Sequence, residues 1–190
     1  MPVLRRVCSL ACDPAREWDA IAAEHASVDA LLRQVILPLA VLAPLASTVG
    51  MLVFDASWDP LHGYVVPREQ IFPAAATTYF ATVASILGLA AIFVALAPMY
   101  RSSRDYRAAL AVAAWGALPL LLAGGTMLVP AMALVCLVAL CHTLYLYWVG
   151  ARRVLHVPPS QLSEFIAIAL LLLAAASVFI GALASSIGLI

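Results

Sequence analysis

His142 and Tyr145 lie three residues apart in an otherwise apolar run, with Cys141 and Thr143 supplying further polar edges. At helical spacing an imidazole and a phenol become neighbours, the pairing a proton relay or a polar substrate site would use. The plainer reading is a neutral imidazole hydrogen-bonded to another helix, a contact worth about 0.6 kcal/mol in membranes. We favour it, because transport sites usually gather several ionisable groups and this stretch offers one clear case.

Other chemically capable residues converge less well. Cys136 and Cys141 share an apolar segment, but five residues of helix set them roughly 140° apart around the axis. Cys8, Cys12 and His25 fall short of the four converging ligands of a closed metal site. The serine of SLAC at 9–12 stands where a lipid-attachment motif carries an aliphatic residue, so acylation of Cys12 is not expected. Asp55, Asp59, His62 and Glu69 occupy one Pro-rich loop with scattered aromatics, without the supporting partners a divalent metal needs. HExxH, GxSxG and P-loop patterns are missing, no apolar run holds paired acids, and the serines of SSIGLI have no base beside them. The expectation is no catalysis, no cofactor and no metal.

Two patterned segments point to contact rather than chemistry. In DPAREWDAIAAEHASVDALLRQ, Asp13 takes the N-cap position and Pro14 the first helical position. Trp18, Ile21, Ala22, Val28 and Leu32 then recur at helical spacing, opposite an acidic face that carries Asp19 and Glu24. A helix that seeks anionic lipid is rich in lysine and arginine. The acidic face therefore suits a protein partner, or equally the chain's own arginines at 101, 104 and 107. Towards the end of the sequence, Ser177, Gly181 and Ser185 repeat at spacing four, with Ala184 and Gly188 beside them, a seam along which helices approach closely. Ala46 with Gly50, and Ala84 with Gly88, repeat it briefly.

The elements that must carry these residues follow from composition. Hydrophobic residues make up 65% of the 190, charged residues 11%, and mean hydropathy is +1.05, far from the soluble norm of about a quarter charged. Apolar runs at 35–54, 77–99, 108–123, 127–149 and 165–190 predict five membrane helices, the third short. Gly124, Gly125 and Thr126 are expected to make a tight turn, Pro130 to open the fourth span, and Pro38, Pro44 and Pro119 to kink their helices. The fold class is thus all-α, a polytopic five-helix bundle (residues 33–190) preceded by a cytoplasmic segment with an amphipathic helix (residues 1–32).

All ten basic residues are arginine, and nine of them cluster in alternate connecting segments: Arg5, Arg6, Arg16 and Arg33, then Arg101, Arg104 and Arg107, then Arg152 and Arg153, with Arg68 alone in an intervening one. The positive-inside rule places those segments, and the amino terminus, in the cytoplasm and the carboxyl terminus opposite. Tyr145, Tyr147 and Trp148 then read as an interfacial aromatic belt. With net charge zero and no concentrated basic face, nucleic acid is excluded as a partner.

The order of P-x3-W-x2-I-x2-E, LPLA, LPLLLAGGTMLVP and YLYWVGARRVLHVP resembles the Yip family of five-span membrane proteins. Pro14, Trp18, Ile21 and Glu24 correspond to its N-terminal signature, Pro38 to its first-span proline, Pro119, Gly124 and Pro130 to its bent hairpin, and Tyr145, Gly150 and Pro158 to the exit of the fourth span. The resemblance implies a membrane protein without catalytic activity. Its eukaryotic members work with small GTPases, but the short N-terminal segment here argues against GTPase binding, and the arginine-only, alanine-rich composition suggests a bacterial inner-membrane relative. The expectation is a scaffold or accessory subunit that meets the bilayer and another membrane protein or a second copy, through Trp18, Asp19, Ile21, Glu24, Ser177, Gly181 and Ser185. The alternative is a small transporter, channel or lipid-moving protein with a polar path near His142.

Overall fold

The computed structural model describes residues 3–53, 58–59, 64–65, 67–128 and 133–186. Two short helices, α1 (Val3–Cys12) and α2 (Pro14–Glu24), precede five long apolar ones. These are α3 (Val28–Val53), α4 (Arg68–Tyr100), α5 (Tyr106–Thr126), α6 (Ala133–Arg153) and α7 (Leu162–Ser186). The fold is all-α; the exception among the described residues is a two-residue antiparallel ladder pairing Trp58–Asp59 with Tyr64–Val65.

Each boundary has a local cause. Asp13 caps α2, accepting the Arg16 amide at 3.2 Å, with Pro14 next in line. The amphipathic segment does not run on to Leu32: His25 enters the left-handed region at φ 48°, and Ser27 caps a new helix by accepting the Ala30 amide. Val28 and Leu32 therefore belong to the first span. That span is unevenly wound. Residues Leu32–Ile36 form a π-turn in which the Leu37 amide reaches back to the Leu32 carbonyl; one residue later Pro38 has no amide to give.

Helix α4 has 33 residues, about 50 Å at 1.5 Å per residue, against a hydrocarbon core of about 30 Å. It exceeds its apolar core at the Arg68 end, where Glu69 and Pro73 lie. Helix α5 is the centre of the bundle: 72% of its apolar window is buried, against 11% for α7. It spans more than the run 108–123, since Tyr106 and Arg107 open it behind an Asp105 cap and it continues through the glycines. Gly124 and Gly125 do not turn the chain. They begin a stretch of 3-10 helix, Gly124–Leu128, and a β-carbon on Gly124 would sit 2.6 Å from that of Ala43, so this glycine serves close approach to α3. Pro130 lies outside the described residues.

In lipid the apolar walls gain nothing from avoiding water, so packing must hold the helices together. At the arginine-rich end Phe93 of α4 stacks on Phe165 of α7, with ring centroids 5.3 Å apart, and Tyr100 meets Phe165 edge-on. The Tyr100 hydroxyl donates to Glu164 at 3.1 Å, and the Ser103 amide donates to the Leu155 carbonyl at 2.8 Å, tying the α4–α5 and α6–α7 connections together.

Candidate functional site

The N-terminal helices form a layer on that same end of the bundle. Trp18 is fully buried and Ile21 nearly so. The indole lies over Gly150 of α6, where a β-carbon would come within 2.9 Å of its Cζ2. Asp19 accepts from Arg153 at the end of α6. Helix α1 turns Leu10 into the core and brings Arg6 inward, with 7% of it exposed. The Arg6 Nε donates to Glu17 at 2.8 Å, its Nη2 donates to Glu24, and the guanidinium stands 5.0 Å above the Trp115 ring of α5. Burial works against this charge, but the bonds and attraction of Glu24 and Glu17 outweigh it and raise its pKa. The signal for α1 was present in the spacing of Val3, Val7 and Leu10 on one helical face.

The acidic face of α2 thus meets Arg6 and Arg153. Among the described residues, Arg107 pairs instead with Asp105, its own helix cap, at 3.6 Å. Of the four α2 residues singled out by pattern, Trp18 and Ile21 face inward, while Asp19 and Glu24 are half exposed and already paired.

His142 sits near the middle of α6, half buried, its ring centroid 6.1 Å from that of Tyr145 and tilted 40° to it. The neighbouring contact is present, but neither ring nitrogen has a hydrogen-bond partner among the described residues. Tyr145 and Trp148 are exposed on the outer face, as a belt requires. Tyr147 is not: two residues on, it points about 200° away, packs on Gly116 and donates to the Ala113 carbonyl at 3.4 Å.

Helix α7 carries the small-residue seam. Its first half is anchored by Leu162, Phe165, Ile166 and Ala169, all buried. From residue 174 to 180 every residue is exposed, and no atom of the described residues lies within 4 Å of a β-carbon placed on Gly181. Ser177 is on this free length, its hydroxyl donating to Leu173 of its own helix. The backbone of Ser185 continues the helix, and Gly188 lies outside the described residues.

No cluster of three or more His, Cys, Asp or Glu converges among the described residues. Asp55 and His62 lie outside them; Glu69 is in the first turn of α4. Cys8, Cys12, Cys136 and Cys141 are all free thiols.

A family model described as the Yip1 domain matches residues 9–182. No curated protein and no solved structure matches the chain. The matched range takes in α2 and all five spans, and leaves out the first residues of α1.

Proposed function

Because the chain belongs to the Yip1 family, we propose that it is a non-catalytic multi-span membrane protein that holds another membrane protein through its last span. The observation that carries this reading is the exposed stretch of α7 at residues 174–180. An apolar helix exposed on every side there, with Ser177 and Gly181 spaced four apart, offers a close-approach surface that the described part of the bundle leaves uncovered. The N-terminal layer is then a brace rather than a docking arm, since its apolar anchors and its acids are engaged at home. Its position beside Arg152, Arg153 and the Arg101–Arg107 connection supports a cytoplasmic placement in a bacterial inner membrane, the arginine-rich end facing inward.

Gly181→Leu tests the reading, because a β-carbon at this position meets no atom of the described residues within 4 Å. Native mass spectrometry after gentle extraction should show a stoichiometric companion chain with the natural sequence and its loss with Gly181→Leu. A solitary chain in both cases would sink the proposal. Solute flux through vesicles that depends on His142 would replace it with the transporter reading.

A further inference from the structure

Between α4 and α6, floored by α5 and flanked by Leu170 and Leu173 of α7, lies a cavity of about 500 Å³. Ligand pockets range over about 300–1,000 Å³, and an apolar cavity of about 150 Å³ already accommodates benzene. None of the lining residues is charged. The mouth is made by exposed residues, Thr78 and Ala81 of α4 with Leu140 and Leu144 of α6. It therefore opens sideways between α4 and α6, with Thr143 five residues, about 7.5 Å of helix, from Trp148 of the interfacial belt.

One polar atom inside is anomalous. Thr143 is 3% exposed and lines the cavity, yet its hydroxyl has no hydrogen-bond partner among the described residues. Three other hydroxyls in these spans behave differently: Thr78, Thr82 and Ser177 each donate to the carbonyl four residues back, at 2.8 to 2.9 Å. A buried hydroxyl left unmade costs free energy that a ligand acceptor would recover. Across the cavity, Thr82 and Ser85 of α4 give it a second weakly polar strip.

We propose that this cavity is a binding site for one acyl chain of a membrane phospholipid, with the ester carbonyl accepting from the Thr143 hydroxyl. The uncharged lining excludes the phosphate headgroup, which stays outside the mouth. The chain enters sideways from the bilayer, where lipid is the most abundant apolar ligand. Nothing here depends on the docking role of α7, whose seam lies further along that helix.

The test uses the full chain in phosphatidylethanolamine and phosphatidylglycerol nanodiscs containing a trace of diacyl phospholipid with a diazirine in mid-chain. On illumination, the label should concentrate on cavity residues such as Thr82, Leu121 and Tyr147. Ala81→Trp, at an exposed mouth position, should abolish that label. Thr143→Val, which keeps the shape and removes the hydroxyl, should lower it about threefold, the worth of one membrane hydrogen bond. Label spread evenly over the exposed faces of α6 and α7 and indifferent to Ala81→Trp would show boundary lipid only and overturn the proposal. Cavity label that survives both substitutions would overturn it as well. Thr143→Ser should restore the natural level, and failure to do so would refute the hydroxyl's part.

Discussion

The Trp18 indole rests on Gly150 so closely that even a methyl group on the glycine would enter its van der Waals surface, 2.9 Å from Cζ2. This contact fixes the N-terminal layer to α6, and Asp19 with Arg153 closes the same joint one residue along α2 and three along α6. Aromatic, glycine and ion pair act together: the glycine admits the ring, and the ring brings the carboxylate to the arginine.

Trp18→Ala should therefore detach the layer. Truncating a buried tryptophan costs about 3–5 kcal/mol, and here the loss falls on the attachment of α1 and α2, since the spans have their own contacts. In nanodiscs, trypsin should cut after Arg16 far faster than in the natural protein, while α3 to α7 stay protected. Equal cleavage rates would mean that the layer is held elsewhere.

Gly150→Leu reaches the same joint from the other side. The larger side chain cannot share the space with the indole, and overpacking of this kind costs about 1–3 kcal/mol. It should mimic Trp18→Ala in the trypsin assay, and the two changes combined should cost much less than their sum, because either one alone empties the contact. Additive effects would place Trp18 and Gly150 in separate interactions.

Arg6 is the second fastening. Removing it leaves Glu17 and Glu24, two turns apart on α2, without the cation they share. Breaking a buried pair costs about 3–5 kcal/mol, and since Glu24 is 43% exposed, roughly 2–3 kcal/mol is the expectation for Arg6→Met after discounting for solvent. Restoring neutrality with Glu17→Gln in the same chain should recover part of the loss, measured by thermal unfolding in detergent. No recovery would remove the carboxylates from the account and leave the stacking on Trp115.

The legibility of these features in sequence was uneven, for physical reasons. Five spans were readable because a helix in lipid must be long and apolar, and the arginines marked its ends. The Asp13 cap and the amphipathic spacing of Trp18 and Ile21 were readable because both are local. What lay beyond local pattern was the partner of each face. Sequence offered Arg101, Arg104 and Arg107 to the acids of α2, whereas geometry chose Arg6 and Arg153, because a short link between α1 and α2 folds Arg6 back and Gly150 sets the register of α2 on α6. Glycine signals were ambiguous in the same way. Gly124 looked like a turn and serves packing, and the seam glycine Gly181 meets no described atom within 4 Å of its β-carbon position. The cavity left no sequence trace beyond Thr143, since a void is defined by what neighbouring helices fail to fill.

Gly116 and Gly181 make a matched pair for measuring that difference. A β-carbon on Gly116 would lie 2.3 Å from Tyr147 Cδ1, inside the ring that also donates to Ala113. Gly116→Ala should destabilise the bundle by about 1–3 kcal/mol through overpacking, whereas Gly181→Ala should be neutral or slightly stabilising, as alanine favours helix over glycine. Thermal unfolding of both variants in one detergent checks this, and equal shifts would contradict the placement of Tyr147.

His142→Leu is the last case, because here the structure shifts the balance between two readings. A histidine that braces the bundle must bond to another helix, and its loss would then lower stability by about 0.6 kcal/mol or more. Among the described residues its nitrogens meet no such partner, and its ring is turned towards Tyr145 on the outer face of the same helix. Replacing a half-buried imidazole with leucine in an apolar surrounding should therefore leave unfolding unchanged or raise it slightly. If the melting temperature falls instead, His142 is a strut whose partner lies outside the described residues, and the drop should disappear in the Gly181→Leu background only if that partner is the chain held by α7.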